Sequence, residues 1–290
     1  MSHDPVRVFV GSGEASLLER KVLIHSLRKN SCRDLDIYVF NGTHNAVERN
    51  SEPPALAPMS LRVKYRNYTE FSLYRYLIPQ LCGHRGRGIY LDSDMICLGD
   101  VGELFDLPMH GADFLSIKAY DTGQWGPSVM LIDADRCRFD LEQICDEIDA
   151  GKFAYSEFSR MDDRFLAHHP LKINVLDPNW NSFDHYDEHT KLIHYTNLMS
   201  QPWKFPGHKH GDLWFEYFNS ALAAGDLTQD EVSKAITRGY VRPTIREGNQ
   251  LASPPQFKQH ISMPVIKNVP PQRKLNWFKQ ISRRLRGKVA

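Results

Sequence analysis

The sequence predicts an α/β protein built on a mostly parallel, Rossmann-like sheet flanked by helices, and three observations say so. Short apolar runs alternate with helical patterns, a glycine-rich turn joins the first run to the first helix, and the acidic triplet Asp92-Ser93-Asp94 closes a buried run near the middle of the chain. The 290 residues, 41% of them hydrophobic, suffice for one large domain with an extension or for two small ones.

In chain order, residues 6–10 read as a buried strand, and Gly11-Ser12-Gly13 turns it into a helix marked by Leu17, Leu18, Val22, Ile24 and Leu27. Strands over 35–40 and around 61–65 flank a loop holding Pro53, Pro54 and Pro58. Residues 71–81 follow a helical pattern. After the turn at 83–88, the run 88–91 is a strand that delivers both carboxylates of the triplet at its carboxyl end. Further strands are expected over 114–117, 128–132, 173–175 and 192–195, with a helix over 141–149. Beyond about 225 the pattern changes to one helix over 229–237 and a Pro-rich polar stretch. The expected division is therefore a main domain over 1–224 and an extension over 225–290. The extension ends in Trp277, Phe278, Ile281 and Leu285 on one helical face beside Lys279, Arg283, Arg284 and Arg286, a pattern suited to a membrane surface and equally to a solvated basic tail.

Charge narrows the partners. Lys and Arg total 36 against 35 Asp and Glu, so no overall field draws the chain to nucleic acid. Five scattered cysteines without a CxxC pair fit a reducing cytoplasm, and no apolar run has the length of a membrane span. The expectation is a cytoplasmic protein, at most peripheral to the inner face of a membrane.

Ligands of open α/β sheets bind beyond the carboxyl ends of the strands, where Asp92 and Asp94 fall. Carboxylates one residue apart there offer hard oxygens to Mg²⁺ or Mn²⁺, ions that also hold phosphate. Alone, an acidic triplet after a strand is a common turn. Two longer blocks add context. The first is Phe71-Ser72-Leu73-Tyr74-Arg75-Tyr76-Leu77 followed by Gly88-Ile89-Tyr90-Leu91-Asp92-Ser93-Asp94-Met95 and Leu104-Phe105-Asp106. The second is Leu192-Ile193-His194-Tyr195-Thr196 running into Gln201-Pro202-Trp203-Lys204. Together they resemble the family 8 glycosyltransferases, the group of glycogenin and the bacterial lipooligosaccharide galactosyltransferases, over roughly residues 5–215. The resemblance implies a GT-A fold, a UDP-sugar donor, Mn²⁺ (or Mg²⁺), and hexosyl transfer with retention to a carbohydrate or glycolipid acceptor.

Carried over residue by residue, the resemblance makes Asp92, Asp94 and His194 metal ligands and brings Arg75 to the donor sugar or phosphate. Val10, Gly11, Ser12 and Glu14 would border the nucleoside, with Ser93 and Ser128 beside the donor. Asp162 or Asp163 would contact the sugar or steady an oxocarbenium-like charge. The chain departs from the family at two places. The usual Asn before a strand is missing from Trp125-Gly126-Pro127-Ser128, and the usual Lys before Pro-Trp is Gln201, leaving Lys204 as the phosphate cation. Bland readings stand beside these: His194 as a core histidine, Arg75 as a surface cation near Glu70, Asp162 and Asp163 as a solvated pair beside Arg160 or Arg164, and Gly11 and Gly13 as plain turn residues. A sugar nucleotidyltransferase would use a similar sheet, but Gly11-Ser12-Gly13-Glu14 lacks the cations of its phosphate loop. A nucleotide-sugar-binding protein without turnover stays open on the missing Asn.

Overall fold

Side chains alternate across a strand, and in β1 (Val6–Ser12) that alternation sorts the core: Val6, Val8 and Val10 enter one cluster while Phe9 enters another on the opposite face. The computed structural model describes residues 4–49, 52–56, 69–118 and 124–250. The remaining strands are β2 (Leu35–Asn41), β3 (Ala46–Arg49), β4 (Ala55–Leu56), β5 (Arg87–Asp92), β6 (Met95–Cys97), β7 (Phe114–Lys118), β8 (Trp125–Asp133), β9 (Ile173–Val175), β10 (Ser182–Phe183) and β11 (Leu192–His194). An eight-stranded sheet runs β4-β3-β2-β1-β5-β8-β7-β9, and a separate three-stranded sheet runs β10-β11-β6. The pairs β1–β2, β1–β5 and β7–β9 are parallel, whereas β8 is antiparallel to both its neighbours and β3 and β4 continue antiparallel at one edge.

The helices are α1 (Leu17–Asn30), α2 (Ile78–Leu81), α3 (Val101–Phe105), α4 (Leu141–Asp149), α5 (Tyr155–Ser159), α6 (Asp163–His168), α7 (Gly211–Ala224) and α8 (Gln229–Thr237). α1 buries Leu18, Val22, Leu23 and Leu27, and Arg28 and Lys29 in its last turn complement the helix dipole. Two elements differ from expectation. Over 71–81 the chain forms turns, a 3₁₀ segment (Tyr74–Leu77) and only the short α2, because Pro79 lacks the N–H an interior helical residue needs. The strand holding Ser128 begins earlier, at Trp125. The strand expected over 61–65 and the amphipathic stripe at 277–286 lie outside the described residues.

Residues 225–250 pack into the same body as the sheet. Leu227, Val232, Ala235, Val241 and Ile245 share a buried cluster with Leu18, Val22, Trp203 and Trp214. Polar ties reinforce it: His25 on α1 reaches Asp226 Oδ2 through Nδ1 (2.7 Å) and Ser220 Oγ through Nε2 (2.8 Å), while Lys21 pairs with Glu231 at 2.6 Å. The described residues between 4 and 250 belong to one compact unit.

The first turn is shaped by close approach. A Cβ on Gly11 would lie 2.2 Å from Tyr90 Oη and 2.6 Å from the Phe71 ring, and one on Gly13 would meet Glu70 Oε1 at 1.5 Å. Those glycines let the 69–71 segment lie against β1. Gly11→Ala should therefore cost about 1–3 kcal/mol of stability through overpacking. It should appear as a lower urea midpoint at unchanged slope, and an unaltered midpoint would show that Phe71 and Tyr90 do not crowd this turn.

Candidate functional site

Strand pairing builds the site. β5 carries Asp92 to its end, the chain turns through Ser93 and Asp94 into β6, and β6 pairs antiparallel with β11 so that Met95 faces His194. The Tyr195 N–H donates to the Asp94 carbonyl at 2.9 Å, fixing this register one residue further. Ligand atoms from Asp92, Asp94 and His194 consequently lie within 4.8 Å of one another, with His194 Nε2 3.0 Å from Asp94 Oδ1.

Each of the three is held from behind. Tyr90, two residues before Asp92 on the same strand face, donates its hydroxyl to Asp92 Oδ1 at 2.6 Å. Arg75 Nη2 donates to the same oxygen at 3.3 Å, and its guanidinium lies 4.5 Å from the Tyr90 ring centre. Gln201 Nε2 donates to Asp94 Oδ2 at 3.2 Å. His194 Nδ1 donates to Asn181 Oδ1 at 3.0 Å, and Asn181 Nδ2 donates to Ser128 Oγ at 2.9 Å. With Nδ1 carrying its hydrogen toward Asn181, the lone pair of a neutral imidazole is at Nε2, facing the carboxylates.

The electrostatics follow from crowding anions in a buried place. Burial raises the Asp92 pKa, with Arg75 opposing the rise and Asp94 adding to it. For His194, burial disfavours the charged form, but Asp94 and then Asp92 outweigh it and the pKa moves up from 6.5. Arg75 loses hydration on burial, yet Tyr90 and Asp92 hold its charge and raise its pKa. Two carboxylates and one imidazole suit a divalent ion such as Mn²⁺ or Mg²⁺.

Beside Asp92 opens a cavity of about 230 Å³ lined by Thr69, Ser72, Arg75, Tyr76, Gly126, Pro127, Ser128, Tyr155 and Ser159. It presents hydroxyls, one cation and one carboxylate, and its size lies below the ~300–1,000 Å³ usual for drug-sized ligands, as suits one small polar ring.

The other anticipated residues are placed as follows. Val10, Gly11 and Ser12 are buried, and Ser12 Oγ lies 3.2 Å from Ser16 Oγ. Glu14 pairs with Arg238, and Ser93 is buried in the turn. Lys204 is exposed. Asp162 caps α6, its Oδ1 accepting from the Arg164 and Phe165 N–H groups, while Asp163 is exposed in the first turn of that helix. Sequence reasoning missed Tyr90, Tyr155 and Ser159, and it gave Asn181 and Gln201 no place beside the ligands. For Tyr90 the signal was its spacing from Asp92. The others meet the site only through tertiary contacts.

The same arrangement of elements occurs in solved glycosyltransferases, and the chain has the GT-A fold. It is similar to the bifunctional glycosyltransferase WbbM (14% identity, 81% of this chain and 51% of that one, TM-score 0.53). It is also similar to the glycosyltransferase GlyE of Streptococcus pneumoniae TIGR4 (17% identity, 77% and 64%, TM-score 0.51). A third likeness is to the galactosyltransferase LgtC in complex with donor and acceptor sugar analogues (11% identity, 77% and 100%, TM-score 0.53). The chain thus spans about half of WbbM and under two thirds of GlyE. No protein-family model matches the sequence, and no curated protein matches it.

Because the His194 pKa is raised above 6.5, a proton competes with metal at and somewhat above that pH, and the competition fades only as pH climbs past the raised value. Mn²⁺ affinity measured by calorimetry should fall on acidification through neutral pH, with proton release on binding. Affinity independent of pH between about 6 and 8 would remove His194 from the ligand set. Asp94→Asn, nearly isosteric, should leave the fold intact and weaken Mn²⁺ binding by at least the ~10- to 100-fold typical of losing an outer-shell partner.

Proposed function

We propose that the protein is a metal-dependent glycosyltransferase that moves a hexosyl group from a UDP-sugar to an acceptor hydroxyl with retention of configuration, as a family 8 enzyme of glycan or lipopolysaccharide synthesis. The observation that carries this reading is the meeting of Asp92, Asp94 and His194 beyond the carboxyl end of β5. Support comes from the adjoining cavity with Arg75 and Asp92 in its wall, and from the GT-A fold.

On this reading Asp92, Asp94 and Nε2 of His194 hold Mn²⁺ or Mg²⁺, which when bound neutralises the leaving diphosphate. The cavity beside Asp92 receives the donor sugar, with Arg75 fixed by Asp92 and by the Pro127 carbonyl so that its planar head is presented rather than free to swing. The turn after β1 borders the nucleoside, and Lys204, exposed three residues after Gln201, supplies a cation to the diphosphate. Of the two candidate carboxylates after Met161, Asp163 is the one not engaged in capping, and we assign it to the sugar's developing charge. Carbohydrate or glycolipid acceptors fit equally. Free cysteines support a cytoplasmic setting, and no helix among the described residues is long and apolar enough to cross a membrane. Peripheral contact with the inner membrane face rests on the C-terminal stripe alone.

The test is a panel of nucleotide sugars with Mn²⁺, read first by thermal stabilisation and then by product formation with saccharide acceptors. A UDP-sugar should stabilise the chain, and excess EDTA should remove most turnover. Undiminished turnover in EDTA, or stabilisation that ignores Mn²⁺, would overturn the reading. Arg75→Lys keeps the charge but loses the planar fork. It should lower kcat/KM by about 10- to 100-fold, the cost of one or two charge-assisted hydrogen bonds, while leaving Mn²⁺ binding in place.

A further inference from the structure

We infer that Gln201 is the positioning residue of the metal site, resting on the reading of Asp92, Asp94 and His194 as ligands. Gln201 is only 2% exposed, and its Nε2 donates twice, to Asp94 Oδ2 at 3.2 Å and to the Tyr195 carbonyl at 2.9 Å. One amide group therefore spans the two strands that carry ligands: it fixes the carboxylate that follows β5 to the backbone of the residue after His194. With Oδ2 so engaged, Asp94 keeps Oδ1 turned to His194 Nε2.

The neutral amide orients the carboxylate without adding a charge beside it. Gln201 Oε1 is buried with no protein partner, an acceptor next to a carboxylate that would otherwise be costly to strand. The backbone around Gln201 is itself firmly held. The Gln201 carbonyl accepts from the Lys204 and Phe205 N–H groups at 2.9 and 2.8 Å, and the following Pro202 carbonyl accepts from Arg242 Nε at 3.2 Å.

The test uses the full chain without acceptor, titrated with Mn²⁺ alone and then with Mn²⁺ in the presence of UDP. Gln201→Met, similar in length but unable to donate, should weaken Mn²⁺ binding by about 10- to 100-fold in both titrations. Gln201→Lys should weaken binding to the nucleotide-free chain but recover in UDP, where the added ammonium meets diphosphate. A merely structural glutamine would lower the melting temperature in both variants and leave the Mn²⁺ constants of the folded protein equal to wild type, which overturns the inference. If wild type itself binds no Mn²⁺, the glycosyltransferase reading fails first. If wild type binds and Gln201→Met binds equally, only the role of Gln201 falls.

Discussion

Everything in the candidate site depends on one register, the antiparallel pairing of β6 with β11 that sets His194 opposite Met95. Asp92 and Asp94 come together from the chain alone, being two residues apart at a strand end, but His194 arrives from about a hundred positions on. A shift of one residue would turn the imidazole to the other face of the small sheet. The pairing is short, so its specificity comes from what flanks it: Ile96 and Ile193 enter a buried cluster, and Leu98 and Gly99 donate their N–H groups to the Lys191 carbonyl at 2.8 and 2.9 Å. Apolar burial on one face and backbone bonds at its end leave little freedom for slippage.

Gathering two carboxylates in a largely buried crevice is costly in water-poor surroundings. The protein meets that cost with three kinds of partner rather than one. Arg75 gives Asp92 a full opposite charge, Gln201 gives Asp94 a dipole, and His194 sets Nε2 3.0 Å from Asp94 Oδ1. The asymmetry separates the two carboxylates. Asp92 is tied to the wall of the cavity through Oδ1 by Tyr90 and Arg75, whereas Asp94 is engaged through both oxygens, Oδ1 facing His194 Nε2 and Oδ2 accepting from Gln201. Two carboxylates and an imidazole gathered beyond a strand end are a donor set that suits a divalent ion.

How much of this was legible in the sequence follows from how local each cause is. The strands 173–175 and 192–194 and the helices 141–149 and 229–237 are visible because apolar spacing along the chain is their cause. The stretch 71–81 misled, since its apolar residues serve an irregular segment packed over β1 and Pro79 interrupts the helix that their spacing suggests. Of the site, Asp92 and Asp94 are local and stood out, whereas His194 among 13 histidines was marked only by the resemblance. Asn181 and Gln201 are ordinary amides in the sequence. Their work beside His194 and Asp94 exists only after the strands pair, so no spacing rule could have singled them out.

The segment after β11 also braces the register. Tyr195, next to His194, lies with its ring edge toward Trp203 and His208, and its hydroxyl donates to the His210 carbonyl at 3.0 Å. Trp203 in turn packs on Trp214 of α7, and Arg242 donates to the Pro202 carbonyl while its own N–H donates to the carbonyl of Trp203 at 2.9 Å. α7 through Ser220, the loop after it through Asp226, and α8 through Glu231 close the path by binding back to α1. Since α1 follows from the β1 turn, the chain from 192 to 250 forms a brace between that turn and the strand carrying His194. Composition beyond about 225 read as an appendage, and residues 225–250 pack against the sheet's body through Leu227, Val232, Ala235, Val241 and Ile245. The brace holds a histidine in place from behind, through aromatic packing that no catalytic motif would reveal.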